Sequence, residues 1–227
     1  MKSVFHFLLI TVLFLSCNFI QKSDSSVEKW DVFELQFNGP DSGNPFKDVT
    51  LTAIFSTSDR QKEVAGFYAG DGVFKIRFMP DKVGQWSYET KSNVDKLHGR
   101  KGIFNCIPPL STNHGPVQVF DTYHFKYTDG TPYKQVGTTC YAWIHQGDSL
   151  EQLTLETLEK APFNKLRMCI FPKDYSFNKN EPVYYPFEQD SLGNNDFTRF
   201  DPDFWDHLDR RLEDLLELGI EADLILF

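Results

Sequence analysis

Cysteine, basic clusters, nucleotide-binding glycine motifs and long apolar runs are scarce or missing in this 227-residue chain, and each lack closes a class of function. There are 4 Cys. Cys17 sits near the N-terminus. The other three, Cys106, Cys140 and Cys169, are an odd number at wide spacing, which makes neither a disulfide framework nor a paired Cys/His zinc pattern. They read as buried apolar residues; Cys140 and Cys169 are placed on neighbouring strands, where a bridge is the alternative. Lys and Arg number 23 against 32 Asp and Glu, a net charge of −9 without basic runs. Phosphate neutralisation by cations dominates nucleic-acid affinity, so this balance argues against a nucleic-acid partner. No G-x-G-x-x-G follows a candidate strand, so a dinucleotide site has no support. The residues imply no metal and no cofactor. What is abundant is aromatic: 22 Phe, 9 Tyr and 4 Trp, a content that suits β-sheet cores and sugar-stacking surfaces alike.

The longest apolar run lies at the start, MKSVFHFLLITVLFLSCNF. One Lys, an apolar core from Phe7 to Leu15 and a small residue before Cys17 describe a secretory signal. The run falls short of the roughly 20 apolar residues of a membrane span. Ser16-Cys17 resembles a bacterial lipobox, which implies lipidation of Cys17, an exported protein at the outer membrane or in the periplasm, and membrane contact through the lipid alone. A plain signal peptide with an incidental Cys is the alternative. Residues 1–26 are assigned to this signal and a polar tether, QKSDSS.

Residues 27–109 read as all-β. Phe33, Leu35 and Phe37 alternate, as do Val49, Leu51, Ala53 and Phe55. Asp71-Gly72 is a hairpin signal, followed by alternating Phe74, Ile76 and Phe78. The Asp81, Gly84, Trp86, Tyr88 spacing resembles the aromatic-anchored corner of immunoglobulin-like domains. GIFNCI is the last strand. Short strands with turn chemistry between them predict a β-sandwich. Pro108-Pro109 opens a linker that closes at Pro116.

A second organisation occupies 117–227. An Asp129-Gly130 turn separates two β-like runs, and the second continues through QVGTTCYAW as strand one of a new sheet. SLEQLTLETLEKAPF then carries Leu150, Leu153, Leu155 and Leu158 near helical spacing, with Asp148 or Ser149 as cap. NKLRMCIF is a doubly buried strand. A polar, aromatic loop follows from Pro172 to about Phe200. Asp201-Pro202 opens a helix with Phe204, Leu208, Leu212 and Leu215 on one face, closed by Gly219 at its C′ position. IEADLILF is a third strand. The order β-α-β-α-β predicts a parallel sheet covered by helices, either doubly wound or a (β/α)8 barrel. The long loop after strand two favours the barrel, whose site lies at the C-terminal ends of its strands.

On that reading strand one presents Tyr141, Trp143, His145 and Gln146. Strand two carries Arg167 and ends in Phe171, Pro172, Lys173 and Tyr175, and its loop supplies Asn178, Asn180, Glu181, Tyr184, Tyr185 and Glu188. Aromatic platforms beside amides, carboxylates and cations suit a neutral, hydroxyl-rich ligand such as a sugar. Tyr141, Trp143, His145, Gln146, Arg167, Lys173 and Tyr175 are the candidate substrate-binding residues. Each has a blander reading: Trp143 as a plug of the barrel top, Arg167 as half of a buried ion pair, His145 and the loop acids as solvated groups.

DGTPYKQVGTTCYAW resembles the barrel start of apiosidase-like glycoside hydrolases of Bacteroidetes. FNKLRMCIFPK is similar to the second strand of cellulase-type barrels, and GFYAGDGVFKIRFMPDKVGQWSYET to the sandwich that precedes them. Thr138 stands where relatives often carry Asp. The resemblance implies an immunoglobulin-like sandwich followed by a (β/α)8 barrel, an Arg167 that supports a nucleophilic carboxylate, and retaining hydrolysis of polysaccharide by two carboxylates about 5–5.5 Å apart. Such carboxylates follow strands four and seven, so no catalytic residue is expected within this chain, which reads as an N-terminal fragment inactive by itself. The rival is a non-catalytic surface lipoprotein that binds glycan; in a third reading the sandwich is only a spacer.

Overall fold

Alternation of apolar and polar residues builds the first unit of this computed structural model, which describes residues 21–226; Cys17 and most of the signal and tether lie outside them. Strands β1 (Gln21–Glu28), β2 (Phe33–Asn38), β3 (Leu51–Ser56), β4 (Gln61–Ala65), β5 (Phe67–Tyr68), β6 (Val73–Phe78), β7 (Gly84–Ser92) and β8 (Lys101–Ile107) form two sheets, ordered β1-β8-β7-β3-β4 and β2-β6-β5. Phe33 and Leu35 point into the core from β2 while Glu34 and Gln36 face water. Phe33 stacks on Phe104 at 3.8 Å and Phe55 on Phe78 at 4.1 Å, ring to ring across the sandwich. Asp71 and Gly72 both take positive φ, 49° and 72°, which closes β5–β6 through the bond from Val73 N to Gly70 O. Trp86 anchors the corner before β7: its ring is buried and its indole N–H donates to Lys82 O at 2.8 Å.

Two features of this unit were not expected. The tether is not free along its whole length, because Ser26–Glu28 pairs in parallel with Asn105–Ile107 and buries Val27. A short helix, α1 (Pro45–Asp48), follows β2, with Pro at its first turn.

After the linker, β9 (Val117–Phe120), β10 (His124–Tyr127) and β11 (Pro132–Tyr133) make an antiparallel meander. Its Tyr133 hydroxyl donates to Asn164 O, at the foot of the next sheet. That sheet is β12 (Gly137–Thr139), β13 (Lys165–Cys169) and β16 (Glu221–Ile225), all parallel and adjacent in chain order. Helix α2 (Asp148–Leu158) connects the first pair and α3 (Pro202–Glu217) the second. Leu166 and Met168 of β13 are buried together with Leu155 and Leu158 of α2 and Phe204, Leu208 and Leu215 of α3. Asp201 caps α3 by accepting from Asp203 N, and Gly219, at φ 70°, ends it with Ile220 N on Leu215 O, a Schellman closure.

Several expectations need correction here. Strand one is short: beyond Thr139 the chain turns into a 3-10 helix, Trp143–His145, because Trp143 and Ile144 bury against α2 and α3. Neither Asp148 nor Ser149 caps α2. Gly147 holds the cap position, and the Asp148 carboxylate lies 3.4 Å from Arg211 instead. Leu150 and Leu153 are exposed, and the buried stripe of α2 is Glu151, Leu155 and Leu158, at i, i+4 and i+7. The long loop contains a hairpin, β14 (Phe187–Gln189) and β15 (Asn195–Phe200). Asp190 builds its turn by accepting from Leu192 N and Asn194 N. Cys106, Cys140 and Cys169 are all free thiols.

The two halves touch through side chains. Arg77 of β6 donates from Nε to Glu34 at 2.8 Å and from both terminal nitrogens to Asp209 of α3, at 3.1 and 2.5 Å. The side-chain amide of Asn44 donates to the backbone and hydroxyl oxygens of Thr198, Arg199 reaches Gly43 O, and Phe46 meets Phe200 edge-on. Among the described residues no helix is long and apolar enough to cross a membrane.

Candidate functional site

The C-terminal ends of β12 and β13 open into a cavity of about 830 Å3. Its floor is Ala142, His145 and Phe171. The segment after β13 gives one wall, with Lys173, Asp174, Asn178, Asn180 and Glu181. The hairpin gives the opposite wall, with Phe187, Asn195 and Phe197. Amides, charges of both signs and aromatic rings thus line one space.

His145 is the most constrained of these groups. Its ring lies nearly parallel to Phe204 (6.2 Å, 13°), and Nε2 faces the Cys169 carbonyl at 3.2 Å. A carbonyl only accepts, so Nε2 carries the proton and donates, and Nδ1 is left as an acceptor. Burial pulls its pKa down to about 4, against the small upward pull of the Cys169 carbonyl, so the ring is neutral at ordinary pH. Gln146 donates to Ala142 O and accepts from the Asn180 amide at 2.6 Å, tying the 3-10 helix to the wall.

Of the residues expected to bind substrate, the structure brings His145 and Lys173 to the cavity lining. Gln146 stands behind it through Asn180. Trp143 is not among its lining residues: the ring is buried with the α2 and α3 core residues, and its indole N–H donates to Glu151 O. Tyr141 and Tyr175 lie beside the cavity as parallel rings 6.4 Å apart, extended by Phe177 at 4.8 Å from Tyr175. Burial, helped by the Cys169 thiol 3.3 Å away, pushes the Tyr175 hydroxyl up to about 12, so it stays protonated. Arg167 is neither in the cavity nor buried. It alternates with Leu166 and Met168, so it leaves β13 on the face away from the helices. There it pairs with Asp223 of β16 at 2.9 Å, and Lys165 flanks the same carboxylate at 3.3 Å. Burial raises Asp223, but the hydrogen bonds from Arg167 and Lys165 outweigh it and hold the carboxyl below its usual range.

The sequence reading missed two clusters. The hairpin residues Asn195 and Phe197 belong to the cavity; the Asp190-Ser-Leu-Gly-Asn turn was the signal. The other is a charged network between α2 and α3. Glu151 is fully buried and accepts from Arg211 Nε at 2.6 Å, with His207 Nε2 at 3.1 Å. Arg211 also holds Asp214 at 2.8 Å. A glutamate on the apolar stripe of a helix was the signal. The donor atoms of Asp148, Glu151 and His207 lie within 4.8 Å of one another, but the Arg211 guanidinium already occupies the place a cation would take, so the group is an ion pair that staples the helices rather than a metal site.

Residues 26–93 match a family described as a domain of unknown function, DUF5060. No curated protein matches the chain. A solved structure from Bacteroides vulgatus, described as a "putative glycoside hydrolase", is 49% identical, with a TM-score of 0.85 over 89% of this chain. This chain spans 41% of the length of that one. A family 5 glycoside hydrolase from the same organism matches 52% of this chain and 25% of its own at 16% identity, with a TM-score of 0.36, too low to bear on the fold.

Proposed function

We propose that this chain is the N-terminal part of an exported glycoside hydrolase acting on plant or microbial polysaccharide. The observation that carries the proposal is the position of the cavity at the C-terminal ends of two parallel strands, in a chain that is 49% identical over 89% of its length to a Bacteroides vulgatus protein described as a "putative glycoside hydrolase". Three parallel strands in chain order, joined by helices packed on one face, suit the opening of a (β/α)8 barrel, and the two-sheet unit before it suits an immunoglobulin-like domain. The order of units is then signal and tether (1–26), sandwich (27–109) and barrel start (117–227), with Cys17 as the site of the lipid.

The cavity residues of this reading orient substrate and do not react with it. His145 fixes the floor of the cavity as a buried neutral ring tied to the Cys169 carbonyl, Asn178 and Asn180 pair with hydroxyls, and Lys173 and Glu181 set the charge pattern around the ring. Holding a glycoside in a near-attack pose lowers the barrier by making the reaction effectively unimolecular. Retaining hydrolysis needs a carboxylic acid and a carboxylate about 5–5.5 Å apart, and that pair is assigned to no residue of this chain. Arg167 and Asp223, paired on the face away from the helices, fit a support role inside the barrel.

The test is turnover of aryl glycosides and pectic fragments by the longest product the gene encodes. Release of the aryl group with retained anomeric configuration is expected, together with its loss when an acid pair after strands four and seven is removed. Saturable glycan binding without turnover on a broad panel would replace the enzyme with a surface glycan-binding lipoprotein.

A further inference from the structure

The hairpin β14–β15 has two different sides. Asn195 and Phe197 line the cavity, whereas Thr198 and Phe200 touch Asn44 and Phe46 of the sandwich. Asn195 and Phe197 alternate with Thr198 and Phe200 along β15, while the long Arg199 side chain crosses to the sandwich and the Phe200 ring also stacks on Phe187 of the cavity wall. The sandwich side is well fastened, by the Asn44 amide on Thr198 at 3.1 Å, by Arg199 on Gly43 O at 2.5 Å and by the Phe46–Phe200 contact. The cavity side is not. Phe197 is 73% exposed, and among the described residues its one ring contact is edge-on to Phe187 at 5.2 Å. Phe187 is in turn held face to face with Phe171 of the floor and with Phe200. A large, mostly exposed apolar ring thus stands in the cavity wall, beside an aromatic row of Phe187, Phe171 and Phe200.

We propose that Phe197 is a carbohydrate-stacking platform of the cavity, and that the ligand is an oligosaccharide whose ring presents an apolar C–H face to it while its hydroxyls meet Asn178, Asn180 and Asn195. The inference rests on the carbohydrate reading given above and goes beyond it by assigning a specificity residue outside the strand ends. An aromatic ring takes up apolar area with little loss of side-chain freedom, so it selects sugars by the shape of one face. Axial hydroxyls on that face would lift the ring off Phe197, so sugars with an unbroken C–H face are preferred. Because the hairpin is fastened to Gly43 and Asn44, the sandwich has a share in holding the platform and is more than a spacer.

The experiment uses the full chain, with xylo-oligosaccharides and rhamnogalacturonan fragments as probes. Calorimetry gives affinities, and NMR gives the shifts of the Asn178, Asn180 and Asn195 side-chain amides and the contacts between sugar C–H protons and the Phe197 ring. We expect one probe class to shift those amides and to give ring contacts. Phe197→Ala should weaken its binding roughly tenfold, Phe197→Trp should hold it within about threefold, and the melting temperature of both should match the parent, because the ring is exposed. If a probe shifts the amides while Phe197→Ala binds it as the parent does, the platform is refuted and the carbohydrate site stands. If no probe shifts the amides, the carbohydrate reading and the platform fall together.

Discussion

Glu151→Ala tests how the scaffold behind the cavity is held. The carboxylate is fully buried between α2 and α3, with Arg211 Nε at 2.6 Å and His207 Nε2 at 3.1 Å. Truncation removes two charge-assisted contacts, each worth about 1.5–3 kcal/mol. Arg211 keeps Asp214 at 2.8 Å, so its charge is not wholly orphaned, whereas His207 loses its carboxylate partner. The sum is about 3–6 kcal/mol, which overlaps the roughly 3–5 kcal/mol that breaking a buried pair by removing one member usually costs. Glu151→Gln keeps the shape and one acceptor, so it should cost less, about 2 kcal/mol. Urea unfolding followed by far-UV circular dichroism reads both values as shifts in midpoint. Helix α2 carries Leu155 and Leu158 against β13, so the loss should appear in the unfolding of the α/β half, with the sandwich transition unmoved. A Glu151→Ala midpoint equal to the parent would refute the claim that this network staples the helices.

Three further perturbations have defined outcomes. Gly219→Ala forces a side chain onto a residue at φ 70° and should cost about 1 kcal/mol in the same unfolding assay, with no loss of helix content. His145 titrates near 6.5 when unfolded and at about 4 when folded, so the unfolded chain takes the proton first as pH falls. Its contribution is whole above pH 6.5 and is lost progressively down to about 4, roughly 3 kcal/mol in all. The difference in pH dependence between the parent and His145→Gln should show that slope. Arg77→Met removes the bidentate contact to Asp209. The pair is about one-third exposed, so solvent screening limits the loss to about 1 kcal/mol, but hydrogen exchange around Asp209, in the middle of α3, should rise.

Periodicity revealed more of the fold than of the site. Phe33, Leu35, Phe74, Ile76 and Phe78 alternate because one face of each strand packs on the other sheet, and Asp71-Gly72 and Asp201-Pro202 carry their turn and cap chemistry locally. Such features need no knowledge of distant residues. The site depends on tertiary choices. Trp143 reads as a ligand platform at a strand end, but the helices offer it a dry pocket and the chain leaves the ladder to fill it. Arg167 reads as buried because its neighbours are apolar, yet alternation turns it to the open face, where Asp223 of a strand 56 residues later meets it. Glu151 was hidden for the opposite reason: a charge on an apolar stripe becomes comprehensible only once His207 and Arg211 arrive from another helix. Phe197 lay in a stretch without strong strand periodicity, and only the Asp190 turn hinted that it folds back over the cavity.

The central claim is that the space above β12 and β13 takes a sugar. A crystal structure of the protein grown with the oligosaccharide that binds it in solution tests this most directly. The account predicts a sugar ring between the Asn178–Asn180 wall and the hairpin, with one C–H face on Phe197 and hydroxyls on the asparagine amides. Sugar bound only on the sandwich, with the cavity empty at saturating concentration, would contradict it.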